Sequence, residues 1–132
     1  MPAGFLTPLR LEKVGPQRWS VLTDLVFHSA ELRATYVVPA GFSTDLASIP
    51  GFAQWAISKV GRHDEPATLH DCAYAGELLV EDVTGSRHPV RLIKPLADRL
   101  FREALVTCGV SSRTATAMYW AVSLFGRKGQ QP

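Results

Sequence analysis

Ala67-Thr68-Leu69-His70-Asp71-Cys72-Ala73-Tyr74 sets a histidine and an aspartate side by side in small, apolar surroundings. With Asp64 as N-cap, Pro66 in the first turn and a stop near Gly76, the stretch reads as a helix. At helical spacing Ala67, His70, Ala73 and Tyr74 share one face, and Asp71 points about 100° away from His70. A second helix is expected from Pro95 to about Cys108, stopped by Gly109. Its apolar stripe is Ala97, Asp98, Phe101, Ala104, Leu105 and Cys108, so an acid occupies a core position, while Arg99, Arg102 and Glu103 take the opposite face. A buried acid needs a partner. For Asp98 that partner is Arg62, Arg91 or His70, and an arginine pair would be purely structural.

Upstream, residues 5–11 read as a short edge strand interrupted by Pro8. Gly15-Pro16 is a turn, and residues 19–27 and 32–38 form two strands of a hairpin around the turn 28–31. A polar–apolar loop follows at 42–50, then a short helix at 52–60 ended by Gly61 and a polar connector at 62–64. Downstream of the His70 helix, apolar segments 78–83 and 88–93 flank Thr84-Gly85-Ser86-Arg87 as an inserted hairpin. Ser111 or Ser112 caps a last helix over 114–125, with Gly126 as its stop. That helix is apolar on most sides, which predicts a central position or a partner-covered one. The expectation is one α+β domain over 1–132: an N-terminal antiparallel β-meander, then three helices with a β-hairpin between the first two.

Composition narrows the function classes. The chain has 132 residues, 46% apolar and 20% charged, as expected of a globular domain with a real core. A net charge of +2 with scattered basic residues argues against nucleic acid. Cys72 and Cys108 form no Cys-x-x-Cys or Cys/His array, which excludes a zinc finger and favours free, packed thiols. His28, His63 and His88 have no zinc spacing and read as surface residues. No secretion signal follows Met1, and no apolar run is long enough to span a membrane.

His70 is the natural general base, since an imidazole titrates near neutral pH and works best when a carboxylate holds one ring nitrogen. Asp98 is placed to be that carboxylate, Tyr74 to hydrogen-bond and shield it, and Asp71 to offer oxygen to a divalent cation such as Ca²⁺. The plain alternative is a set of local hydrogen bonds satisfying helix ends. Ser43, Thr44, Asp45 and Ser48 read first as turn residues. A serine nucleophile lacks the Gly-x-Ser-x-Gly elbow.

The pattern His-Asp-x-x-Tyr on one helix, with Ala-Asp-Arg-x-Phe on the next, resembles the active-site helices of phospholipase A2 over residues 67–105. That resemblance implies a water-activating His70, a calcium-binding Asp71, an orienting Asp98 and a supporting Tyr74. The Gly-rich calcium loop of that family has no counterpart; residues 42–48 precede the helix instead, with Asp45 as a possible side-chain ligand. A second resemblance spans most of the chain. Phe-Ser-Thr-Asp-Leu-Ala-Ser-Ile-Pro (42–50), Leu-His-Asp (69–71), Ala-Asp-Arg-Leu-Phe (97–101) and Met-Tyr-Trp-Ala-Val (118–122) are similar to a small family of uncharacterised phage and prophage proteins. It implies a phage or prophage origin and carries no activity.

Two expectations follow. One is a hydrolase acting on a host envelope component, lipid being the substrate that the phospholipase resemblance implies. The other is a non-enzymatic virion or tail component, or a host-interaction factor, whose partners are other phage virion proteins. Either would sit in the virion or the infected-host cytoplasm. The enzyme requires His70 and Asp98 within hydrogen-bond reach beside an open cleft. The binding protein requires these groups sealed and an apolar helix face exposed.

Overall fold

The computed structural model describes residues 2–45 and 64–125. Strands β1 (Gly4–Phe5), β4 (Leu25–Ser29), β5 (Ala34–Val38), β7 (Leu79–Glu81) and β8 (Arg87–Pro89) form one antiparallel sheet in the order β1-β4-β5-β7-β8. Strands β2 (Leu11–Gly15), β3 (Arg18–Val21) and β6 (Ser43–Thr44) form a second, in the order β2-β3-β6. Helices α1 (Asp64–Ala75), α2 (Lys94–Thr107) and α3 (Ser112–Phe125) follow, with the β7–β8 hairpin between α1 and α2. This is the α+β arrangement expected from the sequence.

Two strand expectations need correction. Residues 5–11 are not one strand: β1 pairs with β4 in the larger sheet, and β2 with β3 in the smaller. The crossing between sheets includes Pro8, which has no N–H to give a ladder. Residues 19–27 split in the same way, with β3 in the smaller sheet and β4 in the larger. Apolar alternation runs through both crossings, because periodicity reports which face is buried and not which neighbour is paired. The turn also begins later than expected. Ser29 still pairs with Ala34, and Arg33 closes the turn in the left-handed region at φ 54°.

The C-terminal ends of α1 and α2 follow their sequence signals, whereas Asp64, expected as the N-cap of α1, is its first helical residue. Gly76 (φ 76°) ends α1 with Glu77 N–H donating to the Cys72 carbonyl at 3.1 Å, and Gly109 (φ 97°) ends α2 with Val110 N–H donating to Leu105 at 3.1 Å. Both are Schellman closures, which need a residue at positive φ. Of the two serines weighed as caps, Ser111 is the one used: its Oγ accepts the Thr114 N–H at 3.2 Å, and α3 starts at Ser112, two residues earlier than expected. The expected helix at 52–60, the connector at 62–63 and the stop at Gly126 lie outside the described residues.

The central helix is α1, not α3. Every residue from Pro66 to Tyr74 is buried, whereas α3 buries Ala115, Met118, Ala121 and Val122 and leaves Trp120, Leu124 and Phe125 more than half exposed. One apolar cluster joins the sheets to α1 and α2 through Phe27, Tyr36, Leu69, Tyr74 and Leu100. A second joins α1, α2 and α3 through Ala67, Phe101, Leu105, Ala115 and Val122. Helix α2 contacts both neighbouring helices and also β1 and β4, so it buries more than one stripe. Glu103, expected on the solvent side, is therefore 6% exposed. Cys72 and Cys108 are free thiols, as expected.

Candidate functional site

His70 and Asp98 meet between α1 and α2. His70 Nε2 lies 2.8 Å from Asp98 Oδ1, with side chains 0% and 1% exposed. The Tyr74 hydroxyl, one turn beyond His70, donates to the same oxygen. The other carboxylate oxygen accepts from Lys94 Nζ at 3.0 Å and from Ser123 Oγ at 3.2 Å. Four donors thus fill the roughly four acceptor positions of a carboxylate. They come from all three helices, so one buried acid ties α1, α2 and α3 together.

Lys94 belongs to this cluster, and the sequence reading missed it. Besides Asp98, its ammonium donates to the carbonyls of Val122 at 2.7 Å and Ser123 at 3.0 Å. These lie in the last turn of α3, at the negative end of the helix dipole. The i,i+4 spacing of Lys94 and Asp98 was a legible signal. Ser123 had none, because its neighbour depends on how α3 crosses α2. Arg91, an alternative partner for Asp98, is exposed, and Arg62 lies outside the described residues.

The electrostatics follow from this packing. Burial pushes the His70 pKa below the usual imidazole value, against the opposing pull of Asp98. Burial works to raise Asp98, yet hydrogen bonds from His70 and Tyr74, with Lys94 beside them, hold it below the usual carboxylate range. An ionised Asp98 only accepts, so Nε2 of a neutral His70 carries the proton and Nδ1 holds the lone pair. Burial and the Asp98 charge push the Tyr74 phenol far up, so it stays a donor. The ring stacks at centroid distances of 4.0 Å from Tyr74 and 4.7 Å from Phe101, which fixes its plane.

The two residues expected to hold a cation are arranged differently from each other. Asp71 is buried and accepts a hydrogen bond from Thr44 Oγ1, on β6. Asp45 is 46% exposed, with its carboxylate 3.9 Å from Arg18. Among the described residues, no group of three or more His, Cys, Asp or Glu side chains is placed to hold a metal ion. Calcium takes six to eight oxygens, and the described donors around Asp71 do not reach that set.

A second buried carboxylate has a separate role. Glu103 accepts from Ser29 Oγ at 2.6 Å, Ala30 N–H at 2.8 Å and Glu31 N–H at 3.1 Å. Ser29 Oγ in turn accepts the Leu32 N–H at 3.0 Å. Glu103 thereby binds the β4–β5 turn to α2 and supplies acceptors for amides that the tight turn leaves unpaired. Neither His28, bonded to Thr35 at 2.9 Å, nor His88, 3.0 Å from Asp82, contributes to the cluster.

Fold and cluster together define a small α+β domain whose helices close on a His–Asp–Tyr–Lys network. A family model described as a protein of unknown function, DUF1353, matches residues 19–122, and the chain belongs to that family. No curated protein and no solved structure matches it. No helix among the described residues is long and apolar enough to cross a membrane.

Proposed function

We propose that this is a phage- or prophage-encoded His/Asp hydrolase acting on an ester of a host envelope lipid. The observation that carries the reading is the placement of His70. Its Nε2–H is held by Asp98, so Nδ1 is the nitrogen with a lone pair to take a proton. His70 would remove a proton from water as the oxygen bonds to the ester carbonyl carbon. The same proton would pass to the leaving alkoxide as the carbon–oxygen bond breaks. Asp98 would stabilise the transient imidazolium, with Tyr74 and Lys94 holding the carboxylate ionised. The described residues do not complete a calcium shell, so no step here is routed through a metal. The four ordered motifs shared with phage and prophage proteins support the origin.

The open cleft that the hydrolase also requires does not reach His70 among the described residues, and this favours a second reading. His70 exposes none of its surface, and α3 presents Trp120, Leu124 and Phe125 to solvent. A sealed network beside a helix face with more than half-exposed apolar side chains fits a virion, tail or host-interaction protein that binds through α3. Hydrolysis requires Nδ1 to become accessible; binding through α3 does not.

The test is release of fatty acid from phospholipid vesicles, with added Ca²⁺ and with a chelator, by wild type and by His70→Gln and Asp98→Asn variants shown to be folded by circular dichroism. The hydrolase loses about 10²-fold or more in rate on loss of its general base. Wild-type turnover no faster than His70→Gln turnover would leave the binding reading.

A further inference from the structure

The outward side of α3 is a narrow stripe with a regular spacing. The helix buries Ala115, Met118, Ala121 and Val122. Apart from its two terminal residues, its exposed positions are Arg113, Ala117, Trp120 and Leu124. At about 100° per residue these four fall within about 60° of one another, on the side away from the buried set. Trp120 is 56% and Leu124 68% exposed. Steps of four, three and four residues are the alternation with which one helix meets another along a coiled-coil seam. Only Arg113 in the stripe is charged, whereas the outer face of a solvated helix is ordinarily polar.

The spacing reads the same in both directions, and this names the occupant. A second copy of α3 laid antiparallel about a twofold axis brings Ala117 opposite the partner's Trp120 and Arg113 opposite the partner's Leu124, each contact occurring twice. Size matches, because the indole stands over the smallest side chain of the stripe, large against small as a packed seam requires. Charge matches as well. The Arg113 stem lies along the partner's Leu124, and its guanidinium reaches the carbonyl end of the partner's α3, the negative end of the helix dipole. That end already holds one cation, Lys94, which donates to the Val122 and Ser123 carbonyls while Asp98 balances its charge. A parallel pair would instead set Trp120 on Trp120 and Arg113 on Arg113, with bulk against bulk and like charge against like.

We infer that the chain self-associates as a twofold-symmetric dimer through antiparallel α3 helices, with Trp120 and Leu124 as apolar anchors and Arg113 setting the direction. This rests on the binding reading for the use of α3 as an interface and is independent of hydrolysis. The helix has 14 residues and is therefore about 21 Å long. Its stripe buries less than the roughly 1,200 Å² at which standard interfaces begin. The expected Kd is accordingly modest, on the order of 10 µM. Ser123, which donates to Asp98, lies on the last turn of the same helix, so the dimer also holds the turn that closes on the buried cluster. Thermal stability should therefore rise with protein concentration.

Sedimentation equilibrium of the full chain, at concentrations spanning that Kd by about tenfold on each side, measures the association. Ala117→Glu sets a carboxylate under each indole, and Trp120→Ala removes the anchor; each should weaken the dimer about tenfold or more. Arg113→Gln should weaken it about threefold through loss of the dipole contact. All three positions are exposed in a single copy, and glutamate, alanine and glutamine are good helix formers, so the variants keep their fold, which circular dichroism of the dilute protein checks. A wild type that stays monomeric throughout overturns the dimer and leaves α3 to a different protein under the binding reading. A dimer whose Kd is unchanged in Ala117→Glu and Trp120→Ala is built on another surface and overturns the inference equally. Tighter association of Arg113→Gln would mean that the arginines face each other, as in a parallel pair, and would overturn the antiparallel arrangement.

Discussion

Replacing Asp98 with Asn removes one charge and little volume, and so isolates the electrostatics of the helix junction. The carboxylate accepts from His70, Tyr74, Lys94 and Ser123. An amide keeps one acceptor oxygen and turns a nitrogen with two donors towards the other pair; the Tyr74 or Ser123 hydroxyl can turn to accept from it, but the bond from the His70 N–H or from the Lys94 ammonium is lost whichever way it is seated. A hydrogen bond to a charged group contributes about 1.5–3 kcal/mol, and removing one partner of a buried ion pair costs about 3–5 kcal/mol. Lys94 moves the value to the low end: its side chain is 28% exposed, and it keeps the Val122 and Ser123 carbonyls. The expected loss is about 3 kcal/mol, a large share of the roughly 5–15 kcal/mol typical of a domain. With an unfolding entropy of about 2.1 cal/mol/K per residue over 132 residues, Tm falls by about 10 °C. Urea unfolding followed by circular dichroism measures this, and a double-mutant cycle with His70→Gln should return a coupling of about 1–2 kcal/mol. A loss under about 1 kcal/mol, or additivity in the cycle, would refute the view that Asp98 joins the three helices.

Two further outcomes are expected. Because burial lowers the His70 pKa, the unfolded chain binds the extra proton first as pH falls. Stability contributed by the neutral ring is complete above the ordinary imidazole value near 6.5 and is lost as pH drops below it. The slope of unfolding free energy against pH from 6.5 to 5 should therefore be smaller in His70→Gln than in wild type, by at most about 1.4 kcal/mol per pH unit; equal slopes would mean that the fold leaves the His70 pKa where the unfolded chain has it. Glu103→Gln should cost about 1–2 kcal/mol by weakening the bonds to Ser29, Ala30 and Glu31, with hydrogen exchange accelerated at the Ala30 and Glu31 amides first. Unchanged exchange there would show that the β4–β5 turn stands without α2.

Local signals carried much of the architecture. Pro66, Gly76, Gly109 and Ser111 mark helix ends through backbone chemistry that acts within a few residues, and the helices lie where those residues put them. The pairing of His70 with Asp98 was also legible, because a costly acid inside an apolar stripe demands a partner and the helical period says which residues share its face. What lay beyond the sequence depends on neighbours distant along the chain. The division of the meander into two sheets at residues 6–10 and 22–24 is a choice of strand partner, to which alternation is blind. The burial of Glu103 comes from α2 packing on β1 and β4 as well as on helices. The place of Ser123 beside Asp98, the exposure of Trp120 on α3 and the bond from Thr44 to Asp71 were likewise decided only when the elements docked. A residue's own chemistry states what it needs, and only the packed chain decides which neighbour supplies it.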